Sequence, residues 1–181
     1  MKELSLHILD IAQNSVKAGA TLIQITIEED TVADTLRITV ADNGCGMDKD
    51  LLQRVRDPFT TTRTTRKVGM GIPLLEAAAV QCGGGLDIQS QPGVGTTLTA
   101  WFGLSHIDRA PVGDMPGTMG VLVSGSPQLD FVYTHTVDGA SFTFDTREIR
   151  TALGDVPLSE PEVMAWIQDY IREGLETLVT N

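Results

Sequence analysis

Four groups of residues carry types and spacings that suit chemistry. Asp10, Asn14 and Lys17 are spaced i, i+4 and i+7, so a helix would hold them on one side. A carboxylate, an amide oxygen and a cation in one stripe suit a metal-bound phosphate. Mg²⁺ takes oxygen ligands, and a lysine neutralises the same phosphates. The same spacing also describes the solvated side of any amphipathic helix. The second group is Asp42-Asn43-Gly44-Cys45-Gly46-Met47, placed at the end of an alternating apolar run. Its glycines let backbone approach a ligand closely. A carboxylate at a pocket floor accepts from the amino group of adenine. Guanine would set an unpaired oxygen against it, at a cost of about 1–3 kcal/mol. An ordinary Asn-Gly turn has the same composition.

The third group is cationic. Arg54, Arg56, Arg63, Arg66 and Lys67 are five of the 13 basic residues of the chain, with Thr60, Thr61, Thr62, Thr64 and Thr65 among them. In an acidic protein this stretch is an anion trap. Gly69-Met70-Gly71 follows it and opens a helix, whose N-terminal N–H groups favour negative charge. A solvated loop is the plain alternative. The fourth group, Gly93-Val94-Gly95-Thr96-Thr97, needs no function as a hairpin turn. Thr96 joins a binding site only if it stands beside Asp42, where its hydroxyl completes a water network. The histidines His7, His106 and His135 have no metal-type spacing with Cys45 and Cys82, and two cysteines make no disulfide framework.

The elements that must position these groups follow from periodicity. Leu4, Ile8, Ile11, Ala12 and Ser15 recur at helical spacing over residues 3 to 18, and Gly19 sits at the C′ position. Ile23, Ile25 and Ile27, then Leu36, Ile38 and Val40, alternate with polar residues and predict a hairpin that delivers Asp42 at its end. Asp48 predicts the cap of a short helix through Arg56. A helix is expected from Ile72 to about Gln81, followed by a second hairpin over 86–89 and 97–102. Residues 105 to 120 read as a linker and Val121–Val123 as a short strand. Asp138-Gly139 marks a third hairpin, and Ser159 with Glu162 marks the start of a last helix. The expected fold class is α+β: a two-layer sandwich with helices on one face of a mixed sheet, plus a C-terminal hairpin-and-helix extension. The expected division is a domain over 1–104, a linker over 105–120 and an extension over 121–181.

Composition narrows the partners. The chain has 181 residues, about one domain, and a net charge of -11. That field argues against nucleic acid or an anionic membrane as the partner. No apolar run reaches the roughly 18 residues of a membrane span, and no signal peptide opens the chain, so a cytoplasmic protein is expected.

Together, and in this order, the motifs resemble the GHKL ATPase superfamily, which shares the Bergerat fold and includes histidine kinases, gyrase-type and chaperone ATPases, and MutL. Asp10-x-x-x-Asn14-Ser-x-x-Ala-Gly-Ala is similar to its N box, in the MutL form, and Asp42-Asn-Gly-Cys-Gly-Met to its G1 box. Asp57-Pro-Phe-Thr-Thr-Thr resembles the F box of histidine kinases, Gly69-Met-Gly-Ile the G2 box, and Gly93-Val-Gly-Thr-Thr the G3 box. The likeness covers about residues 1 to 103.

It implies ATP and Mg²⁺ as cofactors. Asn14 would ligate Mg²⁺, Lys17 would touch phosphate, and Asp42 would bind the adenine amino group. Gly44, Gly46 and Met47 would shape the adenine pocket, with Thr96 in support. Phe59 to Gly71 would form the lid, including Thr60, Arg66, Lys67, Gly69, Met70 and Gly71, in a short form closest to that of the anti-sigma-factor serine kinases.

Two departures stand out. Lys67 occupies a position where many kinases keep glycine. Asp10 stands where family ATPases commonly carry Glu to polarise the attacking water or hydroxyl. Its carboxyl is withdrawn by about 1.5 Å, a misplacement that can cost on the order of 10²-fold in rate. No stretch resembles a phosphoacceptor-histidine helix pair or the large transducer domain of gyrase or MutL. The expected function is therefore a stand-alone protein kinase or phosphotransfer regulator acting on a protein partner, with a homodimer as one arrangement. A non-catalytic ATP-responsive module and a simple ATPase are the alternatives.

Overall fold

The computed structural model describes residues 3–57 and 71–179. Helix α1, Leu4–Lys17, buries the stripe Leu4, Ile8, Ile11, Ala12 and Ser15. Ala18 caps it, and Gly19 follows at φ +79°. Two donors of its first turn would otherwise be orphans. The N–H groups of Leu4 and Ser5 donate to the carbonyls of Pro111 and Val112, at 2.9 and 2.8 Å.

Strands β1, Leu22–Asp30, and β2, Thr35–Asp42, form the first hairpin, in register from Ile23↔Asp42 to Asp30↔Thr35. Helix α2, Lys49–Val55, begins at Asp48, whose carboxylate accepts from the N–H of Leu51 at 2.8 Å. Helix α3 spans Gly71–Gln81, and strands β3, Gly85–Gln91, and β4, Gly95–Gly103, make the second hairpin.

The C-terminal elements are built into the same sheet. Helix α4 spans Met115–Gly125, strands β5 and β6 span Asp130–Val137 and Ala140–Asp145, and helices α5 and α6 span Thr146–Leu153 and Pro161–Val179. The sheet order is β3-β4-β2-β1-β5-β6. β1 pairs with β5 in parallel, and every other pair is antiparallel. This is the mixed α+β architecture expected.

Alternation sorts the strands into two faces. Ile23, Ile25, Ile27, Leu36 and Ile38 are fully buried under the helices, whereas Gln24, Glu28 and Arg37 on the opposite face are exposed. The core runs without a break from Leu4 and Ile8 through the strands to Met115, Met119, Phe131, Tyr133 and Ile167.

Two expectations are corrected. Val121–Val123 is not a strand but the second half of α4, and residues 115–120 of the stretch read as a linker form its first half. Three glycines and three β-branched residues argue locally against a helix there. Burial of Met115, Met119, Leu122 and Val123 overrides that preference. Asp114 supports the start of the helix by accepting from the N–H of Gly117 at 2.9 Å. Helix α5 was not anticipated at all. The Asp138-Gly139 turn is as expected, with both residues at positive φ, 48° and 90°.

Candidate nucleotide site

The end of β2 is the centre of the site. Asp42 lies on the same face of β2 as Leu36, Ile38 and Val40, so its carboxylate turns toward the helix layer rather than toward solvent. Ser15, on the buried stripe of α1, meets it there. The Ser15 Oγ donates to Asp42 Oδ2 at 2.6 Å, and the N–H of Gly44 donates to Oδ1 at 2.8 Å. Each oxygen thus has one donor and keeps acceptor capacity for a ligand.

Thr96 is the cross-strand neighbour of Asp42 on β4, and Ser90 is the neighbour of Thr96 on β3. Ser90 is a hub that sequence reasoning missed. Its Oγ accepts from the N–H of Met47 at 2.8 Å and lies 2.7 Å from Thr96 Oγ1 and 3.1 Å from the Gly95 carbonyl. It pins the loop after β2 to the second hairpin. The only advance signal was a serine in phase with Leu86 and Ile88.

Two glycines allow that loop to lie so close. Gly46 has φ +70°, and a Cβ there would fall 2.0 Å from the Gln91 carbonyl oxygen. Gly95 has φ +143°, and its Cβ would fall 2.0 Å from the carbonyl oxygen of Asp42. Neither position has room for a side chain. The N–H of Cys45 donates to Ala18 at 2.9 Å, and that of Gly93 donates to Cys45 at 2.7 Å, tying α1, this loop and the hairpin together.

These elements enclose a cavity of about 250 Å³. Its walls are mainly apolar, with Ile11, Val40, Met47, Val55, Ile72 and Leu98 among them, and Asp42 and Thr96 supply polarity. Apolar walls around a few fixed polar groups are the usual form of a small-molecule site. Asn14 and Lys17 line it from α1. The Asn14 Oδ1 is buried with no hydrogen-bond partner among the described residues. A buried amide oxygen without a donor is costly in a finished interior. Ligating Mg²⁺ through that oxygen would satisfy it, so the residues present fit that ion.

The other expected residues divide clearly. Gly46 and Met47 line the cavity, while Gly44 stands behind Asp42 as a hydrogen-bond donor. Asp10 is set one helical turn before Asn14, outside the cavity wall, and a Cβ on Gly71 would lie 3.4 Å from the Asp10 Cβ. The start of α3 therefore adjoins Asp10. Phe59, Thr60, Arg66, Lys67, Gly69 and Met70 lie outside the described residues. Arg56, assigned above to the anion trap, is engaged elsewhere. Its guanidinium pairs with Glu76 and donates to the Leu86 carbonyl at 3.0 Å, locking α2 to α3. Cys45 and Cys82 are free thiols.

Residues 2–106 match the family described as histidine kinase-, DNA gyrase B- and HSP90-like ATPase. The chain belongs to that ATPase family. Among curated relatives, the sensor protein kinase FleS of Pseudomonas aeruginosa is 37% identical over 92 residues, which are 51% of this chain and 23% of that protein. A putative sensor protein of Shewanella frigidimarina is 32% identical over 109 residues, 59% of this chain and 17% of its own length. The signal transduction histidine-protein kinase AtoS of Escherichia coli is 33% identical over 93 residues, 51% of this chain and 15% of that protein. The chain thus spans less than a quarter of the length of these relatives. Among solved structures, the N-terminal domain of a DNA repair protein superposes with a TM-score of 0.51 at 13% identity, covering 79% of this chain and 52% of that one. That likeness is one of fold. The cavity between α1, the loop after β2 and the second hairpin falls within the matched residues 2–106. No helix among the described residues is long and apolar enough to cross a membrane.

Proposed function

We propose that the cavity binds Mg·ATP and that the chain serves as an ATP-dependent protein kinase or phosphotransfer regulator of a partner protein in the cytoplasm. The observation that carries the binding is the Asp42 carboxylate, fixed by Ser15 and Gly44 at the floor of a mainly apolar cavity. Adenine would lie between the apolar walls with its amino group donating to Asp42, and Thr96 would support a bridging water. The Asn14 Oδ1 would ligate Mg²⁺ together with phosphate oxygens, and Lys17 would neutralise phosphate at the rim. Bound Mg²⁺ supplies charge neutralisation for a transferring phosphoryl group. Residues 1–104 would form the nucleotide-binding unit and 121–181 its extension. Kinship with sensor kinases supports a protein partner, and a homodimer is one way to present it.

Replacing Asp42 by Asn places an amide where a carboxylate accepts. The expected outcome in calorimetry with Mg·ATP is a loss of about 1–3 kcal/mol of binding free energy. Unchanged affinity would remove the adenine assignment. Turnover is a separate question. Asp10 adjoins the start of α3 and is the candidate base, one methylene shorter than the usual Glu. Wild-type protein is expected to release phosphate slowly, and Asp10→Ala to release less. Equal rates would leave the non-catalytic, ATP-responsive reading.

A further inference from the structure

The outer side of α6 carries a residue that its packing does not call for. Trp166 is 51% exposed, on a helix whose inner side buries Val163, Ile167, Ile171 and Leu178. The outer side of such a helix is ordinarily charged or polar, so the indole adds little to the core. It is nevertheless held firmly. Its ring stacks on Tyr170, with centroids 5.2 Å apart and planes 9° from parallel, and Tyr170 in turn packs against Phe142 and Phe144 of β6 at 5.5 and 6.3 Å. Gly174 makes room for Phe142 in this cluster, since a Cβ there would strike its ring. A ring fixed before contact loses little freedom on binding, and Trp is among the residues that most often anchor an interface.

The charge around it is of one sign. Glu162, Asp169 and Glu173 stand at i−4, i+3 and i+7 from Trp166, on the same side of the helix, and all three are exposed. Glu162 and Glu173 form no ion pair among the described residues. Asp169 pairs with Arg172 at 2.6 Å, but the two side chains are 68% and 56% exposed, so that pair is weak and open to exchange. The surroundings reinforce the sign. Residues 111–181 hold 11 acidic residues against three basic ones, a balance of -8 within the net -11 of the chain. The three cations, Arg147, Arg150 and Arg172, are each paired to an aspartate. Such a field repels a second copy of the same face, nucleic acid and an anionic membrane alike. It attracts cations, and a flat indole favours the planar guanidinium among them.

We propose that the Trp166 side of α6 docks a basic segment of a partner protein, with an arginine guanidinium over the indole and flanking cations on Glu162, Asp169 and Glu173. This surface lies beyond the residues 2–106 that match the ATPase family, and it does not depend on the nucleotide reading.

The test is a titration of the ¹⁵N-labelled full chain with acetylated, amidated tetra-arginine, at low salt and without nucleotide, followed by correlation spectra. Trp101→Phe identifies which of the two indole N–H signals belongs to Trp166. Saturable shifts are expected on that signal and on amides of residues 162–173. One stacked cation and a few exposed ion pairs support a Kd on the order of 1 mM. Tetralysine should bind about threefold more weakly, because an ammonium does not stack, and tetraglutamate should not bind. Trp166→Ala keeps every charge and should weaken tetra-arginine binding about threefold. Glu162→Gln with Glu173→Gln should weaken it about fivefold. Asp50→Asn with Asp87→Asn removes the same charge at exposed positions on α2 and β3, at the far edge of the sheet from β6, and should change it little. Absence of a saturable shift on the Trp166 indole, wild-type affinity in Trp166→Ala, or equal affinity for tetralysine would each overturn the proposal. Equal losses from the two acid pairs would overturn it too, since they would reduce the effect to net charge.

Discussion

Ser15 shows how one hydroxyl on a packed helix face also fixes a carboxylate. It occupies an i+4 position after Ile11 on the buried stripe of α1, where an alanine would pack as well, yet its Oγ is spent on Asp42 at 2.6 Å. A carboxylate in an apolar cavity needs such donors, because leaving it without them costs more than a hydrogen bond returns. Ser15→Ala should leave the helix intact and loosen the carboxylate. ATP affinity, measured by calorimetry, is expected to fall by roughly 1–2 kcal/mol, a little less than for a charged hydrogen bond lost outright. The melting temperature should move little. Wild-type affinity in this variant would mean that Gly44 alone orients Asp42.

At the scale of elements, helices α2, α4 and α5 each begin at an aspartate whose carboxylate accepts from a first-turn N–H. Helix α4 is the sharpest case. Its glycines and β-branched residues give it low intrinsic propensity, so its cap and its burial must carry it. Asp114 accepts from Gly117, and Pro116 lies in the first turn, where a missing N–H does no harm. Asp114→Ala is expected to lower unfolding free energy by about 1 kcal/mol in urea melts. Nucleotide affinity should be unchanged, because the cap lies outside the cavity. A neutral effect on stability would show that packing alone sustains α4.

At the scale of the whole molecule, the C-terminal residues complete the sheet. β5 covers the edge of β1 along the full register Leu22↔Asp130 to Glu29↔Val137. The carbonyls of Pro111 and Val112 satisfy the first turn of α1, the helix that carries Asn14 and Ser15. A chain cut after residue 104 would expose the edge of β1 and the apolar surfaces that bury Met115, Met119, Phe131 and Tyr133. Each such side chain is worth about 1.5–3 kcal/mol when buried, so the four together are comparable with the roughly 5–15 kcal/mol stability typical of a domain. The truncated chain is expected to aggregate on expression and to show no cooperative melt. A soluble fragment melting at the temperature of the full chain would refute this account.

What could be read from the sequence was local or stereotyped. Alternation of Ile23, Ile25 and Ile27, and of Leu36, Ile38 and Val40, determined the first hairpin and turned Asp42 inward, because side chains on a strand change sides at every residue. The 3.6-residue period put Asn14 and Ser15 on sides of α1 that meet the cavity and the core. Gly46 marked a close backbone approach, but only the structure shows that what approaches it, and Gly95, is backbone rather than a ligand. The tertiary structure alone decided the rest. It made a helix of Met115–Gly125 against local preference, diverted Arg56 to Glu76, placed Ser90 between Met47 and Thr96, and set β5 parallel to β1 more than a hundred residues away. Pairing over such a distance leaves no periodic trace in either strand. It depends on which buried face finds another, and that is settled only when the whole core packs.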